Sequence, residues 1–106
     1  MEITEVRVTL RNEEKLKGFA NITIDNQIVI RGLKIIAGPT GYFVSMPSRK
    51  RPDGSHQDIA HPVTMEARKM LEDRVLNAYE EELKHNTHYL PNLPNTETRL
   101  EGPLSL

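Results

Sequence analysis

Gln27-Ile28-Val29-Ile30-Arg31-Gly32-Leu33-Lys34-Ile35-Ile36-Ala37 is the stretch on which the fold turns. Ile28 and Ile30 fall on even positions, whereas Leu33 and Ile35 fall on odd ones. A strand with its period of two cannot keep both pairs on one face unless an extra residue is inserted between them. Gly32 sits at the slip, and glycine is the residue that a bulge most readily accepts. The spacing therefore predicts one long, bent strand with a bulge near Gly32. Val29 and Ile36 leave its other face partly apolar as well.

Working outward, the segment before it completes a meander. Ile3 to Leu10 alternates from Val6 onward, with Val6, Val8 and Leu10 on one side and Arg7, Thr9 and Arg11 across from them. Asn12-Glu13-Glu14-Lys15 reads as a polar turn. In the next strand Ala20, Ile22 and Ile24 oppose Asn21 and Thr23. Asp25-Asn26 joins two β-branched runs, and both residues tolerate positive φ, so a tight hairpin is expected.

Downstream, Gly38-Pro39-Thr40-Gly41 is a turn signal and Tyr42 to Met46 a fourth strand stopped by Pro47. Ser48 to Ser55 reads as a basic loop closed by a Pro-Asp-Gly turn, with a short strand at His56 to Ala60 returning beside it. One helix follows His61-Pro62. Thr64 is its N-cap, and Glu66 suits the positive end of the dipole. Ala67, Met70, Leu71, Val75, Ala78 and Leu83 form an apolar stripe, with Arg68, Lys69, Asp73, Asn77 and Glu80 away from it. A helix with one apolar stripe needs a sheet to cover. The expected fold is α+β: an antiparallel sheet of four to five strands covered by one C-terminal helix. Residues 1–85 form the single domain, and 86–106 a proline-containing, irregular tail whose leucines suit docking on the domain or a neighbour.

Composition bounds the function. The 106 residues contain no cysteine, which excludes disulfide scaffolds, thiolate zinc sites and thiol nucleophiles. No apolar run reaches the roughly 20 residues of a membrane span. No basic-then-apolar leader opens the chain, so a soluble, cytoplasmic protein is expected. The near balance of 14 basic and 15 acidic residues conceals a gradient. Residues 1–70 hold 11 basic against 8 acidic side chains, and residues 71–106 hold 3 against 7. Binding follows local potential, so a basic face is compatible with overall neutrality.

Arg49-Lys50-Arg51 is the densest positive charge and can reach a phosphate backbone as a group. Short basic runs are also commonly solvated loops. Arg68 and Lys69 near the helix start extend the patch, although adjacent helical positions point about 100° apart, so only one faces it squarely. Tyr42 and Phe43 are candidates for base stacking, with packing in the sheet as the simpler role. Ser45, Ser48, Asp58 and His61 hold the ingredients of a hydrolytic triad without a nucleophile elbow or a glycine-rich oxyanion loop. His85 and His88 are spaced for a shared metal, but no third ligand is evident, so neither metal nor cofactor is expected. A small open sheet also leaves edges that must be paired or covered, which favours a strand-to-strand homodimer.

Gly41-Tyr42-Phe43-Val44-Ser45-Met46-Pro47-Ser48-Arg49-Lys50, followed by Asp58-Ile59-Ala60-His61-Pro62, resembles the signature of the SpoVG family of bacterial septation regulators. Ile3-Thr4-Glu5-Val6-Arg7-Val8, the Ala20 to Asp25 stretch and Lys34-Ile35-Ile36 with Gly38 resemble it too, and the likeness spans about residues 1–83. The resemblance implies a small dimeric cytoplasmic regulator, tied to sporulation and the division septum, that binds DNA and RNA and is not an enzyme. Arg49 and Lys50 match the family motif, while Arg51 stands where the family varies. The helix start is implicated in target choice in such proteins, which brings in Arg68 and Lys69. Ser45 departs from the common alanine, the tail from His85 extends past the shared core, and Glu80-Glu81-Glu82 opposes a polyanion. Beside this stands an alternative: a non-catalytic interaction module of the division machinery, using the sheet edge and the leucine-bearing tail.

Overall fold

The computed structural model describes residues 1–85. The expectations for the tail 86–106, and for His88 as a ligand, lie outside the described residues. Four strands form an antiparallel meander: β1 (Ile3–Leu10), β2 (Leu16–Ile24), β3 (Ile28–Gly38) and β4 (Gly41–Ser45), hydrogen-bonded in that order. β5 (Ser48–Lys50) and β6 (His56–Asp58) make a separate two-stranded ribbon. α1 (Met65–His85) then returns across one face of the meander, packing on β1, β2 and β4.

The bulge at Gly32 is present. Ala20 pairs with Leu33 and Ile22 with Ile30, so Arg31 and Gly32 together oppose the single residue Asn21. Gly32 takes φ +84°, and its N–H donates to Asn21 Oδ1 at 3.2 Å. This extra residue lets Ile30, Leu33 and Ile35 all turn toward the helix. Two further bulges accompany it. Thr4 is extra in β1, between the pairs Ile3–Ile24 and Glu5–Thr23. Its hydroxyl donates to the Thr23 carbonyl and accepts from the Asn26 N–H. Lys17 is extra in β2, between Leu16–Ile36 and Gly18–Ile35. The Thr4 bulge explains why Ile3 shares a face with Val6 despite the wrong spacing for a regular strand.

Asp25 and Asn26 both adopt positive φ, 53° and 57°, and Gln27 N–H donates to the Ile24 carbonyl at 2.9 Å. That is the type I′ geometry whose twist matches the flanking strands. At the helix start the Thr64 hydroxyl accepts from Ala67 N–H at 3.0 Å, as its N-cap role requires.

The core lies between sheet and helix. Ile22, Leu33, Ile35, Val44 and Val75 are completely buried, each contributing roughly 1.5–3 kcal/mol by leaving water. On α1 the buried residues are Leu71, Val75 and Tyr79, four apart. Tyr79 belongs to the stripe that the apolar count alone had passed over. Its ring meets Tyr42 edge-on at 5.6 Å. Two other details differ from expectation. The returning strand ends at Asp58 rather than Ala60, and Ser48–Lys50 is a strand rather than loop.

Candidate nucleic-acid interface

The basic segment is an ordered ribbon. Ser48 pairs with Asp58, Arg49 with Gln57 and Lys50 with His56. Ile59 N–H donates to the Pro47 carbonyl at 2.8 Å at its base. At its tip Arg51 N–H donates to the Ser55 carbonyl at 2.7 Å, and Gly54 N–H to the Arg51 carbonyl at 2.9 Å. Asp53 Oδ1 accepts from both the Ser55 hydroxyl (2.7 Å) and the Ser55 N–H (2.9 Å). These two bonds, the hydroxyl first, hold the Asp53 carboxyl below the usual aspartate range.

Arg49, Lys50 and Arg51 are all exposed, and among the described residues no carboxylate stands within 4 Å of their charged groups. The strand geometry divides them, however. Successive side chains of a strand point to opposite faces, so Arg49 and Lys50 serve opposite sides of the ribbon. The result is a narrow, two-faced cationic finger instead of a three-charge cluster. A two-stranded ribbon has the width that the major groove of duplex DNA admits.

Arg68 and Lys69 are placed differently. Arg68 Nη2 donates to the Val44 carbonyl at 3.2 Å and pairs with Glu72 at 3.7 Å. Glu72 Oε2 in turn accepts from the Val44 N–H at 3.3 Å. The two side chains thus bond both backbone groups that Val44 turns away from β3, sealing the outer edge of β4. Lys69 is exposed and pairs with Asp73 at 3.2 Å. The structure therefore unites Arg49, Lys50 and Arg51 on one ribbon, and engages Arg68 and Lys69 with partners of their own.

Tyr42 and Phe43 divide between faces. Tyr42 turns to the helix side against Tyr79, while Phe43 lies on the open side and remains 40% exposed. Ser48 and Asp58 are cross-strand neighbours, but no hydrogen bond joins His61 to Ser45, Ser48 or Asp58 among the described residues. No group of three potential metal ligands occurs among them either. A cleft of 230 Å³ opens next to the base of the ribbon, walled by Ile3, Ile22, Ile24, Met46 and Leu71, with Met1 and Val63 on its lining. Met1, Ile59, Val63 and Met65 are each more than 65% exposed there or in the adjoining loop. Sequence reasoning had not singled out this cleft, because its walls come from six separate segments. No helix among the described residues is long and apolar enough to cross a membrane.

A four-stranded meander, a two-stranded ribbon bearing three exposed cations and one covering helix define a small α+β protein. The SpoVG family model matches residues 1–81. A Bdellovibrio bacteriovorus protein named "Putative septation protein SpoVG" is 54% identical over 84 residues, covering 79% of this chain and 78% of that one. The protein of that name from Anaeromyxobacter sp. (strain K) is 52% identical over 84 residues, covering 79% and 83%. One from Clostridium beijerinckii is 47% identical over 81 residues, covering 76% and 89%. The chain belongs to the SpoVG family.

Proposed function

We propose that this chain is a homodimeric, cytoplasmic, non-catalytic regulator of septation that binds nucleic acid through the β5–β6 ribbon. The observation that carries the reading is the exposure of Arg49, Lys50 and Arg51 on an ordered hairpin, with no carboxylate paired to them among the described residues. The septation role rests on the name its relatives bear. A second copy doubles the ribbons and converts weak single contacts into avidity. Since helix side chains occupy the outer edge of β4 at Val44, the strand that accepts a second copy is β1. β1 is the other outer strand of the meander, and its stretch from Val6 to Leu10 pairs with β2 on its inner side. The apolar cleft near Val63 is the surface that a division-machinery protein would take.

The test is fluorescence anisotropy with duplex DNA across a salt series, comparing the chain with Arg49→Ala/Lys50→Ala/Arg51→Ala. The variant binds more weakly, and its plot of log affinity against log salt is shallower by about 2 to 3, the release expected for three phosphate contacts. Equal affinity and slope in both proteins would remove the ribbon from the mechanism.

A further inference from the structure

The helix covers only one face of the meander, and the other carries an ordered mixture of cations, aromatic rings and hydroxyls. Cross-strand register places Thr9, Phe19, Lys34 and Ser45 in one row across all four strands. Phe43, two residues from Ser45 and opposite Ile36, lies diagonally beside Lys34. A two-strand, two-residue offset puts Phe19 and Phe43 about 12 Å apart at their Cα atoms, with Lys34 between them. The Arg11 guanidinium sits over the Phe19 ring at 5.6 Å and offers its own plane for stacking. Phe43 offers a ring that is 40% exposed.

Beyond this row, the Gly32 bulge brings Arg31 beside Arg7, Asn21 and Thr23 around a shallow depression that Val29 and Glu5 complete. Glu5 is bonded to Arg7 at 2.8 Å, and Arg11 to Glu13 at 2.9 Å. Arg31 and Lys34 have no such carboxylate among the described residues. Positive charge therefore remains uncompensated on this face.

We infer that the open face of the β1–β4 sheet is a platform for single-stranded RNA. Phe43 and the Arg11–Phe19 pair stack two unpaired bases, Lys34 holds the backbone between them, and Arg31 holds it where the strand continues past Phe19. The charge fits a polyanion, and interleaved rings fit bases freed from a duplex. A sheet four strands wide cannot enter a duplex groove, which excludes the ribbon's proposed target. The Thr9 hydroxyl opposite Phe19 and the Ser45 hydroxyl two residues from Phe43 suit the 2′-hydroxyl that distinguishes RNA from DNA. This platform is separate from the β5–β6 ribbon, so either surface can function without the other.

The experiment uses the full chain with a labelled mixed-sequence RNA single strand, DNA of the same sequence, and the corresponding DNA duplex. Phe43→Ala weakens RNA binding by about 5- to 100-fold, the cost of losing one stacked base. Arg31→Glu/Lys34→Glu weakens it as well while leaving Phe43 in place, and melting curves confirm that both variants fold. Neither changes duplex affinity, whereas Arg49→Ala/Lys50→Ala/Arg51→Ala lowers duplex affinity and leaves the RNA bound. RNA affinity unchanged in both sheet variants, or no RNA binding by the parent chain, would overturn the platform whatever the ribbon does. Equal affinity for the DNA single strand would overturn its assignment to RNA.

Discussion

Gly32 shows how one residue's backbone freedom shapes a surface. At φ +84° an L side chain is strained, although the nearest atom to an added Cβ would be Pro47 Cβ at a comfortable 3.9 Å. The strain alone is thus expected to make Gly32→Ala cost about 1–2 kcal/mol. Chemical denaturation should show a lower midpoint with an unchanged slope; wild-type stability would mean that the bulge relaxes at no cost. Asp53 is the counterpart at the ribbon tip. The Ser55 hydroxyl, then the Ser55 N–H, stabilise its ionised form, so its folded pKa lies below that of the unfolded chain. The bonds therefore support the tip at all pH values above the unfolded pKa of about 3.9 and fail as pH falls through the lower folded value. The Ser55 amide resonance should titrate with a midpoint below that of a free aspartate. A midpoint at or above it would show that the Asp53–Ser55 bonds are not kept in solution.

At the scale of elements, the pairing of α1 with β4 carries a consequence beyond packing. Arg68 and Glu72, one turn apart, bond both the carbonyl and the N–H of Val44 where a fifth strand would otherwise bind. Replacing both, in Arg68→Ala/Glu72→Ala, exposes that edge and should promote higher-order association. Light scattering at rising protein concentration would register it as added mass relative to the parent chain. No added mass would mean that the two side chains do not guard the edge. The loss of Arg68 also separates its structural role from nucleic-acid contact: if duplex affinity falls in this variant while the mass is unchanged, Arg68 contributes to binding directly.

For the whole molecule, the dimer is the main expectation. Light scattering on the parent chain should give twice the monomer mass, and a monomer at every concentration would sink the avidity reading. Much of the architecture was legible in advance. The slip between Ile30 and Leu33, the Asp25-Asn26 turn and the Thr64 cap are local signals, each carried by residues that decide their own backbone geometry. The Thr4 and Lys17 bulges were not legible, because no glycine marks them and only pairing with the neighbouring strand reveals the extra residue. Tyr79 was missed for a related reason: whether a half-polar ring is buried depends on what packs against it across the fold, here the Tyr42 ring among others.

The candidate site divides in the same way. Sequence established that Arg49, Lys50 and Arg51 are adjacent, that the preceding and following runs are strands, and that the chain carries the SpoVG motifs. Tertiary structure decided that these cations project from two sides of a ribbon and that Arg68 is engaged at the edge of β4. It also gathered Arg11, Phe19, Arg31, Lys34 and Phe43 on one face from three strands and an adjoining turn. Alternation along a strand is set by covalent geometry and can be read from a single segment. Which side chains become neighbours across strands depends on register, and register here is set by three bulges and by the one face the helix buries.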